Sequence, residues 1–213
     1  MRSEVVAPLI VVIDDEPAVQ NAVGSLLRSV GYDVRLNSNV AELLETEILD
    51  RVNCLVLDIR LPMVSGLDFQ EQLLTLGAPT PIVFMTGHGD VPMTVRAMKA
   101  GAVDFLAKPF RDQDMLDAVA GAVERDRKSR LEKTGYADLR ARYSTLSHRE
   151  REIMLLATSG LLNKQIAAKL GLSEITVKIH RGRVMRKMDA KTFASLVRMA
   201  ELVGADPAVR NAK

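Results

Sequence analysis

The 213-residue sequence predicts an α/β domain on a five-stranded parallel sheet, followed by a small all-α domain. Three observations predict it. Short β-branched runs alternate with stretches of helical periodicity over residues 1–123, the pattern of strands joined by crossover helices. From residue 144 the periodicity is helical throughout. The charge divides in the same way. Residues 1–123 carry 9 Lys+Arg and 17 Asp+Glu, net −8, whereas residues 124–213 carry 20 and 10, net +10, which together give the overall +2. Two halves of opposite charge suit different partners, and the basic half suits nucleic acid or another anionic surface.

Composition narrows the class further. Hydrophobic residues at 47% and charged residues at 26% are ordinary for a globular chain and argue against disorder. The single cysteine, Cys54, has no internal partner, which fits a reducing compartment. The longest apolar run, Val5–Ile13, is nine residues, where a membrane span needs about twenty. Glu4 and Asp14-Asp15-Glu16 flank it with acid, unlike a signal peptide. A cytoplasmic location is expected.

The elements follow in order. Leu9–Ile13 reads as a strand buried on both faces. Asp15 is placed to cap a helix with Pro17 in its first turn, and Gly31 to stop it in a left-handed conformation. Tyr32–Leu36 is a second strand, and Asn39 with Glu42 opens a helix over Val40–Leu49. Asn53–Leu57, Ile82–Met85 and Val103–Leu106 are the remaining strands. Gly66–Leu76 and Pro92–Ala100 are the helices between them, and Asp112 opens a longer helix. Right-handed crossovers leave few topologies, and the flavodoxin-like order 2-1-3-4-5 suits this length.

Ligands of such sheets bind at the carboxyl ends of the strands. There the sequence places Asp14 and Asp15 after strand one, Asp58 at the end of strand three, Thr86 at the end of strand four and Lys108 after strand five. Clustered carboxylates need a cation, and hard oxygen ligands favour Mg²⁺. A hydroxyl and an ammonium beside them can hold an anion's oxygens. The set suits a phosphoryl group placed on a carboxylate.

The stretches Val11–Glu16, Leu55–Pro62, Met85–Asp90 and Asp104–Phe110 make residues 1–123 resemble the receiver domain of two-component response regulators. The resemblance implies that Asp58 accepts a phosphoryl group from a partner histidine kinase. It implies Mg²⁺ held by Asp15, Asp58 and the backbone carbonyl of Arg60, with Asp14 acting through water. It assigns Thr86 and Lys108 to the phosphoryl oxygens and a cis peptide to Lys108-Pro109. Phe105 falls at the switch position where many receivers carry Tyr, so switching between Thr86 and Phe105 rests on packing. His88, two residues beyond Thr86, is either a solvated loop residue or a group that tunes dephosphorylation.

Residues 124–143 read as a connecting segment. Glu124–Lys133 interleaves opposite charges as a solvated helical extension, Thr134-Gly135 is expected to break it, and Tyr136–Tyr143 to form a second short helix. The remaining residues, 144–213, form the second domain. Ser147-His148-Arg149-Glu150 is a capping box, and Asn163 is placed to cap Lys164–Leu170. Gly171-Leu172-Ser173 turns the chain into a longer basic helix, Glu174–Met188, and Phe193–Val203 is the last helix. A short helix, a glycine turn and a longer basic helix make a helix-turn-helix.

On the helical wheel Val177, Val184 and Met188 face inward, with His180 and Arg181 at the flanks. Ile175, Lys178, Ile179, Gly182, Arg183 and Arg186 face out. In a major groove the isoleucines suit thymine methyls, Lys178 and Arg183 suit guanine edges or phosphates, and Arg181 suits phosphate. Outward-facing Gly182 suggests close approach to DNA or tolerated drift in equal measure. Leu146–Glu152, Asn163–Ala167 and Thr176–His180 resemble the LuxR/NarL-type DNA-binding domain, which adds Lys164 and Thr176 to the DNA-facing set and gives the last helix, with Leu196 and Met199, a dimer interface. Both domains together resemble the FixJ subgroup.

The expected function is therefore phosphorylation-activated transcriptional regulation through double-stranded DNA, with RNA polymerase as a further partner. A homodimer would form on phosphorylation through the face carrying Val91 and Val95. Two other readings remain. An aspartyl-nucleophile phosphatase usually has a second Asp two residues after the nucleophile, where this sequence has Arg60, so a non-enzyme is expected. In the other, the helical half of a receiver-controlled adaptor would bind protein.

Overall fold

A computed structural model describes residues 6–45, 48–62, 64–78, 80–87 and 91–204. It divides into two compact units, Met1–Arg130 and Leu131–Lys213.

The first unit carries β1 (Leu9–Ile13), β2 (Asp33–Asn37), β3 (Val52–Asp58), β4 (Ile82–Thr86) and β5 (Asp104–Ala107) in one sheet of order β2-β1-β3-β4-β5. Every neighbouring pair is parallel, as expected. Alternation along β1 sends Val11 and Ile13 to one face and Ile10 and Val12 to the other. On the first face they pack with α2 (Val40–Glu45), α3 (Gly66–Thr75) and α4 (Val91–Lys99) through Leu43, Phe69, Leu73 and Ala97. On the second they pack with α1 (Pro17–Ser29) and α5 (Asp112–Ser144) through Val23, Leu27, Met115 and Val119. Both strand faces are thus covered, which is why the strands read as unbroken apolar runs.

Local signals explain most boundaries. Asn39 Oδ1 accepts from the Glu42 amide at 3.1 Å, and Asn39 Nδ2 donates to Glu42 Oε1 at 2.9 Å, so the cap pair of α2 forms. That helix is described over Val40–Glu45; residues 46 and 47 lie outside the described residues, and Leu49, expected to be helical, belongs to a single 3-10 turn, Leu49–Arg51, that leads into β3. Gly31 has φ +93° just after α1, as a left-handed stop requires. Asp15 does not cap α1. Glu16 occupies the cap position without a side-chain bond, and its amide donates instead to Asp14 Oδ1 at 2.9 Å.

The expected break at Thr134-Gly135 is absent: α5 is one helix of 33 residues. A helical glycine costs only about 1 kcal/mol relative to alanine. Ion pairs of Glu124 with Arg127, Asp126 with Arg130 and Asp138 with Arg142 support the helix on either side. At the foot of the sheet Asp126 is buried, and its Oδ2 accepts from Asn53 Nδ2 at 2.7 Å and Arg130 Nε at 2.6 Å. Arg130 also donates to the carbonyls of Asp50 and Val52, and Asn53 Oδ1 accepts from the Leu9 amide at 2.8 Å.

The second unit holds the end of α5, then α6 (His148–Thr158), α7 (Asn163–Leu170), α8 (Glu174–Lys187) and α9 (Phe193–Gly204). The Ser147–Glu150 capping box opens α6, and Ser173 Oγ accepts from the Thr176 amide at 3.1 Å to open α8. Thr192 and Ser195 exchange bonds at the start of α9. Asn163 is not the cap of α7. That position is Leu162, whose amide donates to Gln165 Oε1, and the Asn163 side chain is engaged by Arg181. Gly171, at φ +64°, makes the turn between α7 and α8.

Candidate functional site

The carboxyl ends of β1, β3, β4 and β5 bring five of the expected residues to one edge. Asp14 follows β1 and is fully buried, Asp15 beside it is exposed, and Asp58 ends β3 with 6% exposure. One oxygen from each of these three carboxylates lies within 4.8 Å of the others. Lys108 reaches in from beyond β5, and its Nζ donates to Asp14 Oδ2 and Asp58 Oδ2, both at 2.6 Å. The Arg60 amide donates to Asp58 Oδ1 at 2.9 Å. Thr86 ends β4, is fully buried, and its carbonyl accepts from the Lys108 amide at 2.7 Å. The Lys108-Pro109 peptide is cis.

The electrostatics follow from that packing. Burial is the largest influence on Asp14 and pushes its carboxyl above the ordinary aspartate value, against the opposing bonds from Lys108 and the Glu16 amide. Burial also works to lower Lys108, but its bonds to Asp14 and Asp58 prevail and hold the amine above the usual 10.5. The lysine therefore stays an ammonium at neutral pH. It offsets part of the carboxylate charge, while the remaining acidic oxygens form a hard donor set that fits a divalent cation.

Two residues that support this edge carry no motif. Gln20 is buried in α1, and its Nε2 donates to the carbonyls of Asp14 at 2.5 Å and Asn37 at 3.1 Å, tying the ends of β1 and β2 together. Gly66 donates its amide to the Ile59 carbonyl at 2.9 Å, which brings α3 against the end of β3. A glycine opening a helix after a loop was the available signal for Gly66; Gln20 left none. Phe105 is half-buried against the α2–α4 face of the sheet. His88 lies outside the described residues. On α4, Val91 and Val95 are exposed.

In the second unit α8 presents the expected outer face. Ile175 is 73% exposed and Ile179 51%, and Lys178, Gly182, Arg183 and Arg186 are exposed with them. Lys164 is exposed on α7, and Thr176 is half-buried with its hydroxyl against Ser173 Oγ at 2.8 Å. Arg181 does not stand with the exposed cations. Its Nη1 donates to Asn163 Oδ1 at 2.6 Å, and its guanidinium lies 5.0 Å from the Phe193 ring centre. Leu196 requires a correction: it is 3% exposed, within the core of its own unit, and cannot supply an exposed interface. It shares that inward stripe with Ala200 and Val203 at helical spacing, and Met199 packs half-buried at its margin.

Residues 10–120 match the response regulator receiver domain, and residues 144–200 match the luxR family of bacterial regulatory proteins. The chain belongs to the response regulators, as a receiver joined to a luxR-type helix-turn-helix domain. It is a FixJ-type transcriptional regulator under phosphorylation control. It is 53% identical over 196 residues to nodulation protein W of Bradyrhizobium diazoefficiens, covering 92% of this chain and 86% of that protein. It is 42% identical over 198 residues to the transcriptional regulatory protein FixJ of Azorhizobium caulinodans, covering 92% and 93%. The solved structure of the response regulator StyR matches with a TM-score of 0.82 at 42% identity, covering 92% of this chain and 98% of that one. Among the described residues no helix is long and apolar enough to cross a membrane.

Proposed function

We propose that Asp58 is the phosphoacceptor, receiving its phosphoryl group from a sensor histidine kinase. The observation that carries this reading is Lys108 Nζ, 2.6 Å from both Asp14 and Asp58. A carboxylate oxygen of Asp58 attacks phosphorus, and the bond to the donor's histidine nitrogen breaks. Lys108 can then move its ammonium onto a phosphoryl oxygen, with the Thr86 hydroxyl on another. Mg²⁺, held by Asp15, Asp58 and the Arg60 carbonyl with Asp14 behind them, would offset the charge that gathers during transfer. Thr86 and Phe105 form the switch, through packing, since Phe105 lacks a hydroxyl.

The output follows from the second unit. Paired receivers, meeting through the α4 face of Val91 and Val95, would raise the effective concentration of the second helix-turn-helix at a two-fold promoter site. There Lys164, Thr176, Lys178, Ile179 and Arg183 would face double-stranded DNA, within reach of RNA polymerase. The segment 124–143 is the connection between the two domains. We place this activity in the cytoplasm and assign the chain no catalytic turnover.

The test is labelling with acetyl phosphate and Mg²⁺. One acid-stable, base-labile phosphoryl group should be incorporated, and Asp58→Asn should abolish it. Equal labelling of the Asn variant would move the nucleophile elsewhere. A gel shift on promoter fragments, with and without the phosphodonor, tests the output. Binding that ignores the donor would uncouple the two halves.

A further inference from the structure

Arg181 is a cation of α8 whose place on the helix is wrong for a ligand contact. Val177, Arg181, Val184 and Met188 are spaced four, three and four residues apart, which puts all four on a single stripe. The other three are buried core residues. A guanidinium on such a stripe must find partners inside its own domain or leave a desolvated charge unpaired. Arg181 finds two on different helices. Nη1 donates to Asn163 Oδ1 at 2.6 Å, on the first turn of α7. The cationic plane also stacks on Phe193, the first residue of α9, 5.0 Å from the ring centre. Arg181 also lines a cavity of about 180 Å³ together with Ile153, Ala157, Val184, Phe193 and Leu196. Asn163 is the first helical residue of α7, one past the cap position, so its side chain is available to Arg181.

We infer that Arg181 is a positioning residue for DNA recognition: it latches α8 to α7 through Asn163 and to α9 through Phe193, and does not neutralise a phosphate. The inference rests on the reading of α8 as the DNA-reading helix. Sequence alone puts Arg181 among the phosphate contacts. With its head already committed, its contribution is to hold the outer face of α8, with Ile175, Lys178 and Arg183, at a fixed angle to α7. That angle sets which side chains reach the base edges together.

A phosphate contact and a latch differ in their salt dependence. Each phosphate neutralised adds about one unit to the slope of log affinity against log salt concentration. The full chain should be titrated with its cognate duplex across salt concentrations as the parent, Arg181→Ala, Asn163→Ala, the double variant and Arg183→Ala. Arg181→Ala should lose affinity by about tenfold, the scale of one coupled polar contact, with the slope unchanged. Asn163→Ala, which removes no charge, should lose a similar amount, and the double variant should lose no more than Arg181→Ala alone. Arg183→Ala should lower the slope. A slope reduced by about one unit in Arg181→Ala, or losses that multiply in the double variant, would overturn the latch.

If Arg181→Ala fails to fold, Asn163→Ala and side-chain NMR still decide. In the DNA-free parent the Arg181 guanidinium should rotate slowly about its Cζ–Nε bond while Arg183 rotates freely, and Asn163→Ala should release it. Free rotation of Arg181 in the parent refutes the latch. Hindered rotation in a parent that binds no duplex would keep the latch and refute the DNA-binding reading.

Discussion

A Cβ placed on Gly66 would lie 2.6 Å from the carbonyl oxygen of Asp58 and 3.1 Å from the Cα of Ile59. Helix α3 can therefore approach the end of β3 only because residue 66 has no side chain. The first turn of α3 and the backbone of Asp58 are in direct contact. Both obstructing groups are backbone, so no side-chain rotation relieves the clash. Gly66→Ala should cost about 1–3 kcal/mol in urea unfolding, and should slow labelling of Asp58 because the strand end must shift. An unchanged midpoint with unchanged labelling would show that the loop gives way freely.

The acidic edge predicts an order of metal affinities. Asp15 is exposed, whereas Asp14 is fully buried and already accepts from Lys108 and the Glu16 amide. Asp15→Ala should weaken Mg²⁺ binding severely and Asp14→Ala less, by calorimetry on the unphosphorylated chain. Equal losses would contradict the division between direct and indirect ligands.

Two variants on the outer face of α8 probe the DNA interface. Lys178→Ala should change sequence preference as well as affinity, costing about 1–3 kcal/mol on the cognate site relative to a scrambled one. Nothing lies within 4 Å of a Cβ built on Gly182, so no packing inside the domain requires glycine there. Gly182→Ala should stabilise the free domain by up to about 1 kcal/mol. Gly182→Leu should bind DNA less tightly than the parent. Unimpaired binding by the leucine variant would make the glycine drift.

Acid stability should depend on Glu150. Its Oε2 accepts from Lys187 Nζ at 2.7 Å and from the Ser147 amide at 2.8 Å. Burial opposes ionisation, yet these bonds hold the carboxyl below the usual 4.5. A lowered folded value means that the stabilisation is fully present above 4.5 and is lost as pH falls through that lower value. Glu150→Gln should therefore melt lower than the parent at neutral pH, and the gap should close in acid. A gap that stays constant with pH would show that the charge contributes nothing.

Much of the fold was legible because the sheet is buried on both faces. Leu9–Ile13 was read with its observed ends, and the other strands shifted or grew by a residue or two, since apolar runs mark a strand's centre better than its last hydrogen bond. The acidic edge was legible for a different reason: β-α alternation fixes which residues stand at the strand ends. Where the reading failed, a local signal met a weak penalty or a distant partner. Thr134-Gly135 has the signature of a breaker, but its penalty is small and the stretches Leu131–Lys133 and Ala137–Arg142 on either side hold good helix formers. The resemblance puts Leu196 at an interface, but its own spacing to Ala200 and Val203 points inward. For Arg181 the stripe spacing was available, but its charge drew it toward phosphate. Asn53 and Asp126 are 73 residues apart, and no pattern in one sequence joins them.

That last pair bears on how such regulators exchange parts. The apolar periodicity of α5 fades near Val123, and a recombination event guided by that pattern would cut there. Asn53 would lose its acceptor, and the Asp50 and Val52 carbonyls would lose Arg130. A seam placed after Arg130 carries the whole foot of the sheet with it and leaves the incoming module free to vary. The transferable module thus extends seven residues past the point where its hydrophobic signature ends.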